Sequence, residues 1–448
     1  MKKKEHRKMN NAIVRLNPSQ LLLLVFLFFI ILGTIFLKLP FATTTQVTWT
    51  DALFTATSSM TVTGLAVVDT GTVYTLFGQL VILALIQIGG LGIMSFAVLI
   101  FMLLGKRIGF RERLLVQQSL NHTSIGGIIK LVKSLFIYSF TIELIAMCFL
   151  AITWVPEFGW GRGMYLSFFH SISAFNNAGL SLFPDNLMGY VGDPIINIVI
   201  SSLFILGGIG FTVLADIWYK RKFKKLSLHS KLMIVGTVVI NAFAMLVIFV
   251  MEFHNPHTLG AMSEMSDKLW AAYFQATSPR TAGFNTIDIG NMHEATITFM
   301  LLLMFVGAGS GSTGGGIKLT TFLVIVLSVI SFLKQKQQIT IANRAIKETI
   351  IFRSLAISMI SFLFIFLAVF ILNITEPEPF LKLLFETVSA FGTVGLSMGI
   401  TADLSNIGKI IIVFIMFLGK IGPLTFAFSL AKPRQEKIRY PSEDIMTG

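Results

Sequence analysis

Ala56–Leu65 reads ATSSMTVTGL, and related stretches follow at Ser171–Leu180 (SISAFNNAGL), Gln275–Phe284 (QATSPRTAGF) and Thr387–Leu396 (TVSAFGTVGL). Aligned without gaps, the four stretches share only one glycine, which a bulky apolar residue follows each time. These glycines are Gly64, Gly179, Gly283 and Gly395, and successive ones lie 115, 104 and 112 residues apart. Because an internal period determines the architecture, the pattern predicts four repeats around one pore.

The composition predicts an integral membrane protein. Of the 448 residues, 54% are hydrophobic and 13% charged, and the mean hydropathy is +0.79; soluble domains carry about 25% charged residues. Apolar runs of about 18 residues or more can cross a bilayer. Eight such runs are predicted as spans, at Gln20–Leu37, Gly78–Leu104, Ile128–Val155, Pro194–Trp218, Leu232–Met251, Ala295–Phe332, Ser354–Leu372 and Ile407–Leu430. The half-polar stretches within each pair of spans are too short to cross and are predicted as four re-entrant pore loops.

The predicted fold is therefore all-α, with four tandem span–pore-helix–span repeats. We expect the repeats at residues 1–105, 106–226, 227–340 and 341–448, and call them the first to fourth quarters. Every segment outside the apolar runs is short. The sequence therefore leaves no room for a catalytic or nucleotide-binding module, which predicts a protein that is not an enzyme.

The basic residues predict the orientation. Of the 35 basic residues, 28 are Lys318 or lie in one of five clusters, at residues 1–19, 106–133, 220–231, 334–353 and 432–439. The opposite loops contain 14 of the 22 acidic residues. Because cytoplasmic loops are enriched in Lys and Arg, both termini are predicted to be cytoplasmic, in a multi-pass protein of the cell membrane. The net charge of +13 then reflects topology. Nucleic-acid binding would need a basic face on a soluble fold, and no segment is left to form one.

The repeated glycine is typical of ion coordination. An alkali cation inside a bilayer needs oxygen ligands, and rings of backbone carbonyls supply them without placing a full charge in the path. Directing carbonyls inward requires dihedral angles that glycine adopts most easily. A single such glycine would more simply allow close helix packing, but four in register behind half-polar stretches favour a pore.

A second repeated feature is a cluster of glycines in the second apolar run of each quarter. These clusters are Gln87–Gly92, Leu206–Gly210, Val306–Gly316 and Leu418–Gly422. The third is expanded into Gly307–Gly316, which contains no residue larger than Thr. Since each Gly costs a helix about 1 kcal/mol relative to Ala, we predict a helix broken at mid-membrane by a flexible loop; a passive kink is the alternative.

Gly309–Gly314 also matches G-x-G-x-x-G, but no strand precedes it and no acidic residue follows within twenty positions, which excludes dinucleotide binding.

Charged residues within predicted spans are costly and are therefore candidates for function. Lys420 lies in the last span, and Lys318 follows the glycine-rich stretch. If Lys420 faces the ion path below the repeated glycines, its charge would repel cations and stabilise a closed state. The alternative for both lysines is that their ammonium groups reach the cytoplasmic interface.

The sequence does not decide the roles of two further charged residues, Glu143 and Arg280. Glu143, in the third predicted span, is either a buried partner for a cation or part of a subunit contact. A positive charge at Arg280 that pointed at the ion would oppose transport. We expect Arg280 instead to turn away and pair with an acid such as Asp267 or Glu264.

Four segments as a set resemble the Trk/Ktr/HKT superfamily of potassium translocators, and in particular the bacterial Ktr membrane subunits. The segments are Thr61–Asp69 (TVTGLAVVD), Ala174–Leu180 (AFNNAGL), Pro279–Phe284 (PRTAGF) and Phe391–Leu396 (FGTVGL), and the likeness extends over essentially the whole chain. The resemblance implies a selectivity filter that binds potassium at Gly64, Gly179, Gly283 and Gly395 together with the preceding Thr63, Ala178, Ala282 and Val394. It implies an intramembrane gate at Gly307, Gly309, Ser310, Gly311, Ser312, Thr313, Gly314, Gly315, Gly316 and Lys420. Where this chain has Lys420, the family usually has arginine, whose planar fork of donors lysine lacks.

The resemblance also implies how such a protein works. We expect passive potassium uptake, a homodimer in membrane lipid, and a cytosolic nucleotide-binding regulatory subunit that forms a KtrA/KtrC-like ring. No covalent cofactor is expected, nucleotide is expected on the partner only, and sodium is a candidate modulator. Gly64 favours potassium, because serine at this position accompanies sodium selectivity in plant relatives. The alternatives are the ion-conducting subunit of an ATP-driven potassium pump, which should carry extra spans at its ends, and a secondary transporter, whose inverted repeats should have opposite topology.

Overall fold

The computed structural model describes residues 18–92, 95, 128–336, 338–341, 344–430 and 443, and these residues are almost entirely helical. The helices are α1 Pro18–Leu37, α2 Trp49–Thr61, α3 Thr70–Val73, α4 Leu76–Leu91, α5 Ile128–Phe158, α6 Trp160–Phe175, α7 Pro194–Ile209, α8 Phe211–Lys220, α9 Leu228–Glu252, α10 Met265–Thr277, α11 Glu294–Phe305, α12 Leu319–Leu333, α13 Glu348–Thr375, α14 Phe380–Gly392, α15 Asn406–Ile421 and α16 Pro423–Leu430. Four short 3₁₀ turns and one two-stranded antiparallel sheet, β1 Thr340–Ile341 with β2 Arg344–Ala345, complete the described secondary structure.

The first apolar run of every quarter forms one uninterrupted helix. These helices are α1, α5, α9 and α13, and each is long and apolar enough to cross a membrane. Large apolar side chains remain exposed along them, among them Phe28, Leu144, Phe243 and Phe362. An apolar surface of this kind suits a lipid environment, in which such side chains avoid water. The prediction of an all-α integral membrane fold agrees with this architecture.

The second apolar run of each quarter is not a single helix. It bends by 95° between α7 and α8, where Gly210 has a φ of 106°. Gly422, with a φ of 89°, separates α15 from α16, and the glycine-rich stretch separates α11 from α12. In the first quarter α4 ends before Gly92, and the rest of the predicted span to Leu104, apart from Ser95, lies outside the described residues. The described residues thus contain four uninterrupted spans, or five with the bent pair, and a count of eight stays a prediction.

The glycines explain why these runs break. A positive φ is unfavourable for any residue with a Cβ but costs glycine little. The sequence predicts a break only in the third quarter, because one isolated glycine in an apolar run is also compatible with a continuous helix. The second and fourth quarters break as well, so the repeated glycine clusters mark helix ends and not only helix contacts.

Four short helices, α2, α6, α10 and α14, precede the repeated glycines and have largely buried C-terminal halves. Contacts between neighbouring quarters arrange them in a closed circle: α4 packs on α6, α7 on α10, α11 on α14, and α15 returns to α2. The first and last quarters therefore meet. This closure places the four chain segments that follow the short helices around one centre.

Candidate ion-binding site and gate

The same backbone conformation occurs at the repeated glycine in all four quarters. The φ angles are 96° at Gly64, 66° at Gly179, 75° at Gly283 and 91° at Gly395. Two residues before each glycine lies a second residue with positive φ, and these are Val62, Asn177, Thr281 and Thr393. Positive φ is rare for β-branched residues, and such strain is typically stored at functional sites. The fourfold repeat of a costly conformation therefore indicates a functional backbone.

The four glycines form a closed ring in space. A Cβ added at Gly64 would lie 3.2 Å from the Cα of Gly179, and one at Gly179 would lie 2.7 Å from the Cα of Gly283. One at Gly283 would lie 3.4 Å from the Cα of Gly395, and one at Gly395 would lie 2.9 Å from the Cα of Gly64. We call these four residues the glycine ring. Gly64 lies across the ring from Gly283, and Gly179 lies across from Gly395.

The carbonyl oxygens of the preceding residues lie directly against the ring. An added Cβ would come within 2.2 to 2.8 Å of the oxygen contributed by the neighbouring quarter. These oxygens belong to Thr63, Ala178, Ala282 and Val394, all fully buried. The structure thus brings all eight residues of the sequence-predicted filter together. No side chain fits inside the ring, which explains why the sequence has glycine at each position.

One serine in each quarter anchors the chain at the ring, and sequence reasoning missed it. Ser58 and Ser389 accept hydrogen bonds from the backbone N–H groups of Gly64 and Gly395, both at 3.1 Å. Ser173 donates to the carbonyl of Leu180 at 2.7 Å, and Ser278 donates to the carbonyl of Phe284. The serines are Ser58, Ser173, Ser278 and Ser389, and we call them the anchoring serines.

A gap-free alignment hid the anchoring serines because the third quarter is one residue shorter. Ser278 accepts a backbone bond from Ala282, four residues on. In the other quarters the equivalent bond spans five residues, for example from Thr63 to Ser58. An alignment with a one-residue gap before Gly283 would have revealed the serine.

The Gly-rich loop, Gly307–Gly316, lies beside the ring and is held at both ends. Val306 and Ile317 form a parallel bridge, and Gly307 N–H donates to Ile317 at 2.9 Å. The loop is bonded to the second quarter, where Gly309 N–H donates to Gly208 at 2.8 Å, and to the fourth, where Gly316 N–H donates to Gly419 at 3.2 Å. The loop, which belongs to the third quarter, therefore contacts both neighbouring quarters and is more than a kink in a helix.

Side chains next to the glycine ring bind the loop directly. Asn177 accepts a hydrogen bond from the Thr313 hydroxyl at 2.8 Å and donates to the Thr281 hydroxyl at 3.2 Å. The Thr393 hydroxyl accepts from Gly315 N–H at 2.8 Å. Asn177 and Thr393 are two of the positive-φ residues that precede ring glycines. Sequence reasoning missed both, since nothing in a single sequence marks a residue for positive φ beyond the mild preference of Asn.

Both lysines bind the backbone of the loop. Lys420 donates to the carbonyl of Thr313, and Lys318 donates to the carbonyls of Gly314 at 2.7 Å and Gly315 at 3.3 Å. Lys420 therefore contacts the Gly-rich loop, and its role as part of a gate stays a prediction. Lys318 uses its ammonium group in the same way.

Glu143 bonds to the first quarter and to the segment that leads to Gly179. Its carboxylate accepts from Gln87 Nε2 at 3.1 Å and from Asn176 Nδ2 at 3.3 Å, and Gln87 Oε1 accepts from the same Asn176 amide at 2.7 Å. Glu143 is 4% exposed. It therefore links two quarters within one chain.

Arg280 turns away from the ring, as expected, but its expected partners are wrong. The guanidinium donates to Asn241 Oδ1 at 3.1 Å and to the Thr237 hydroxyl at 3.5 Å, and no described acid forms an ion pair with it. Asp267 and Glu264 instead accept from Ser266, near the start of α10. Glu264 immediately precedes α10 and Asp267 lies in its first turn, whereas Arg280 follows the last turn, so the helix separates Arg280 from both acids.

Comparisons with known proteins agree with this geometry. A family model described as "TrkH: Cation transport protein" matches residues 25–439. The chain is 59% identical over 435 residues to the Ktr system potassium uptake protein B of Bacillus subtilis, and this match covers 97% of this chain and 98% of the relative. It is 41% identical to the Ktr system potassium uptake protein B of Vibrio alginolyticus, over 96% of this chain and 94% of the relative.

Two further matches are more distant. The potassium/sodium uptake protein NtpJ of Enterococcus hirae is 36% identical, over 97% of this chain and 98% of the relative. The crystal structure of the potassium transporter TrkH from Vibrio parahaemolyticus shares the fold, with a TM-score of 0.74 at 21% identity, covering 93% of this chain and 86% of that chain. These matches agree with an integral membrane transporter that is not an enzyme. The chain belongs to the TrkH family of cation transport proteins.

Proposed function

We propose that this chain is the membrane subunit of a Ktr-type potassium uptake system and moves potassium passively into the cell. The observation that carries the proposal is the glycine ring, in which four quarters of one chain contribute the same backbone conformation and a carbonyl oxygen each. Backbone carbonyl rings select alkali cations by replacing their hydration shell. The names of the Bacillus and Vibrio relatives, potassium uptake proteins of a Ktr system, support potassium as the ion.

In this proposal potassium is coordinated at the ring by the four glycines and by the residues before them. The ring contains no charged side chain, so an entering cation would meet only carbonyl dipoles. The C-terminal ends of α2, α6, α10 and α14 precede the ring, and the partial negative charge of a helix C-terminus favours a cation. Sodium would act as a competitor or a modulator, which the name of the Enterococcus relative supports.

The Gly-rich loop would be the gate. It is bonded to the ring-proximal residues Asn177 and Thr393 and to Lys420, so its position and that of the ring are coupled. Its small side chains give low helix propensity, and two arrangements of such a loop can differ by a few kcal/mol. Shortening the loop should then raise basal flux and leave ion preference largely unchanged.

The wider architecture follows the same proposal. Eight crossing segments, with the second of each quarter broken, and four re-entrant short helices would fill the four ranges 1–105, 106–226, 227–340 and 341–448, with both termini cytoplasmic. We infer a homodimer in membrane lipid and a cytosolic nucleotide-binding ring that supplies regulation. The docking surface would include Lys220–Lys225 and Lys334–Lys347, while Lys106–Arg113 lies outside the described residues.

Flux from purified protein in liposomes tests the proposal. Potassium and rubidium uptake should depend on the chain, should require no ATP for movement itself, and should respond to nucleotide only when the cytosolic partner is added. The control is the Gly395→Trp variant, purified and reconstituted in the same way, in which the large side chain fills the ring. Absence of selective flux, or full nucleotide response of the chain alone, would contradict the proposal.

A further inference from the structure

A ring of buried polar side chains lies one helical turn before the anchoring serines. The residue three positions before each serine is Thr55, His170, Gln275 or Glu386, and each lies within one of the four short helices. These side chains are 4%, 0%, 0% and 1% exposed. Buried polar groups are costly unless they are hydrogen-bonded, so four at one repeated position call for a role.

In the fourth quarter this side chain binds the segment that leaves the glycine ring. Glu386 Oε2 accepts a hydrogen bond from the hydroxyl of Ser397 at 2.9 Å, two residues after Gly395. The Thr401 hydroxyl donates to Oε1 of the same carboxyl group. Ser397 Oγ also accepts from Gly399 N–H at 3.0 Å, so the turn that follows the ring is organised around this contact.

The second quarter repeats the arrangement with a different residue. His170 Nδ1 contacts the carbonyl of Leu166 at 2.8 Å, which assigns the proton to Nδ1 and leaves Nε2 as an acceptor. Nε2 lies 3.0 Å from the hydroxyl of Ser181, two residues after Gly179, and accepts from Leu182 N–H at 3.4 Å. The imidazole ring is held between Trp154 and Phe183, with ring centroids 4.8 and 5.0 Å away.

The other two quarters lack this contact. The residue two positions after the ring glycine is Ala66 in the first quarter and Asn285 in the third. Asn285 donates to the carbonyl of Ile287 at 3.0 Å. Both polar atoms of the Gln275 amide have no hydrogen-bond partner among the described residues. The contact therefore occurs only in the two quarters that lie across the ring from each other.

We propose that His170 and Glu386 are positioning residues for ion selection, which rests on the proposed function of the glycine ring. Each is an acceptor fixed in a buried helix and holds a serine hydroxyl two residues beyond a ring glycine. Together they hold the segments that leave the ring on two opposite sides, in addition to the bonds of the anchoring serines. Without them Ser181 and Ser397 lose their buried acceptors, the segments after Gly179 and Gly395 are held less firmly, and the ring loses the spacing that distinguishes potassium from sodium.

The test compares variants that remove the acceptor, keep it, or remove only the hydroxyl. Glu386→Met and His170→Leu remove the acceptor, Glu386→Gln retains an acceptor oxygen, and the pair Ser181→Ala with Ser397→Ala leaves both helices unaltered. Gln275→Met is the matched control, at the same position in a quarter without the contact. The measured quantity is the sodium concentration that halves rubidium uptake into liposomes, normalised to the amount of folded protein.

We expect the acceptor-less and double-serine variants to be inhibited by about ten-fold less sodium, as the loss of hydrogen bonds to a buried charged or polar group implies. Glu386→Gln should restore most of the preference, and Gln275→Met should match the unmodified chain. If the helix variants do not fold, the double-serine variant decides. Unaltered preference in that variant, with selective flux in the unmodified chain, overturns this inference alone, whereas no selective flux in the unmodified chain overturns the proposed function.

Discussion

The ammonium group of Lys420 donates a hydrogen bond to the backbone carbonyl of Thr313, and this contact joins α15 to the Gly-rich loop. Lys318 binds the next two carbonyls, those of Gly314 and Gly315. Two positive charges thus stabilise three consecutive carbonyl groups of a loop that carries little side-chain packing of its own. The arrangement of this part of the loop depends on a few polar contacts that substitutions can remove one at a time.

Removing the Lys420 ammonium group should raise basal flux. Lys420→Ala leaves the carbonyl of Thr313 without its charged donor, and a hydrogen bond to a charged group contributes about 1.5–3 kcal/mol. We expect basal rubidium uptake without the cytosolic partner to rise by about ten-fold or more, with the potassium preference retained. Lys420→Arg should stay close to the unmodified level. Equal uptake in the Ala and Arg variants would show that the contact does not hold the loop.

The hydroxyl of Thr313 should matter more than that of its neighbour. Thr313→Val keeps the side-chain shape and removes the donor to Asn177 Oδ1. We expect higher basal uptake, since Asn177 precedes Gly179 and couples the loop to the ring. Ser312→Ala is the control, because the Ser312 hydroxyl has no hydrogen-bond partner among the described residues. A similar change in both variants would assign the effect to general loosening.

Side chains at the glycine ring should disturb selection before they disturb folding of the helices. Gly64→Ser introduces a Cβ at a φ of 96°, 2.4 Å from the carbonyl oxygen of Ala178. We expect weaker rubidium uptake and a larger relative sodium flux, measured in liposomes with both ions present. Gly161→Ala is the matched control, because a Cβ there meets nothing within 4 Å. Unchanged potassium preference with serine at each of the four ring positions would remove the assignment of the filter.

The ion pair between the first and fourth quarters should stabilise the protein. Lys409 Nζ lies 2.9 Å from Asp51 Oδ1, and the two side chains are 12% and 14% exposed. Asp51→Asn should lower the free energy of unfolding by about 1–3 kcal/mol. Glu378→Gln, which breaks the more exposed Lys382–Glu378 pair at 3.5 Å, should cost less than about 1 kcal/mol. Thermal unfolding in detergent measures both, and equal shifts would refute a special role for the Asp51 pair.

The sequence predicted the parts of this site that depend on residue type. Only glycine tolerates the ring geometry, so Gly64 and its three counterparts were visible as a repeat, and Gly307–Gly316 was visible as a break. Side-chain partners were harder to predict, because they depend on which quarters meet. Arg280 binds Asn241 and not an acid. Ser278 could not be predicted from the gap-free alignment, because it lies five residues before Gly283 whereas the other three serines lie six residues before their glycines.

The circle of quarters is closed by side chains 358 positions apart, Asp51 and Lys409. A chain synthesised from its N-terminus inserts three quarters before the residues that complete the circle exist. Until then Gly395 is absent from the ring, and the carbonyl of Val394 is missing beside Gly283. The four-sided site therefore comes into existence only when the last quarter docks on the first. An unfinished chain therefore lacks one side of the glycine ring, and under the proposed function it has no complete ion-binding site.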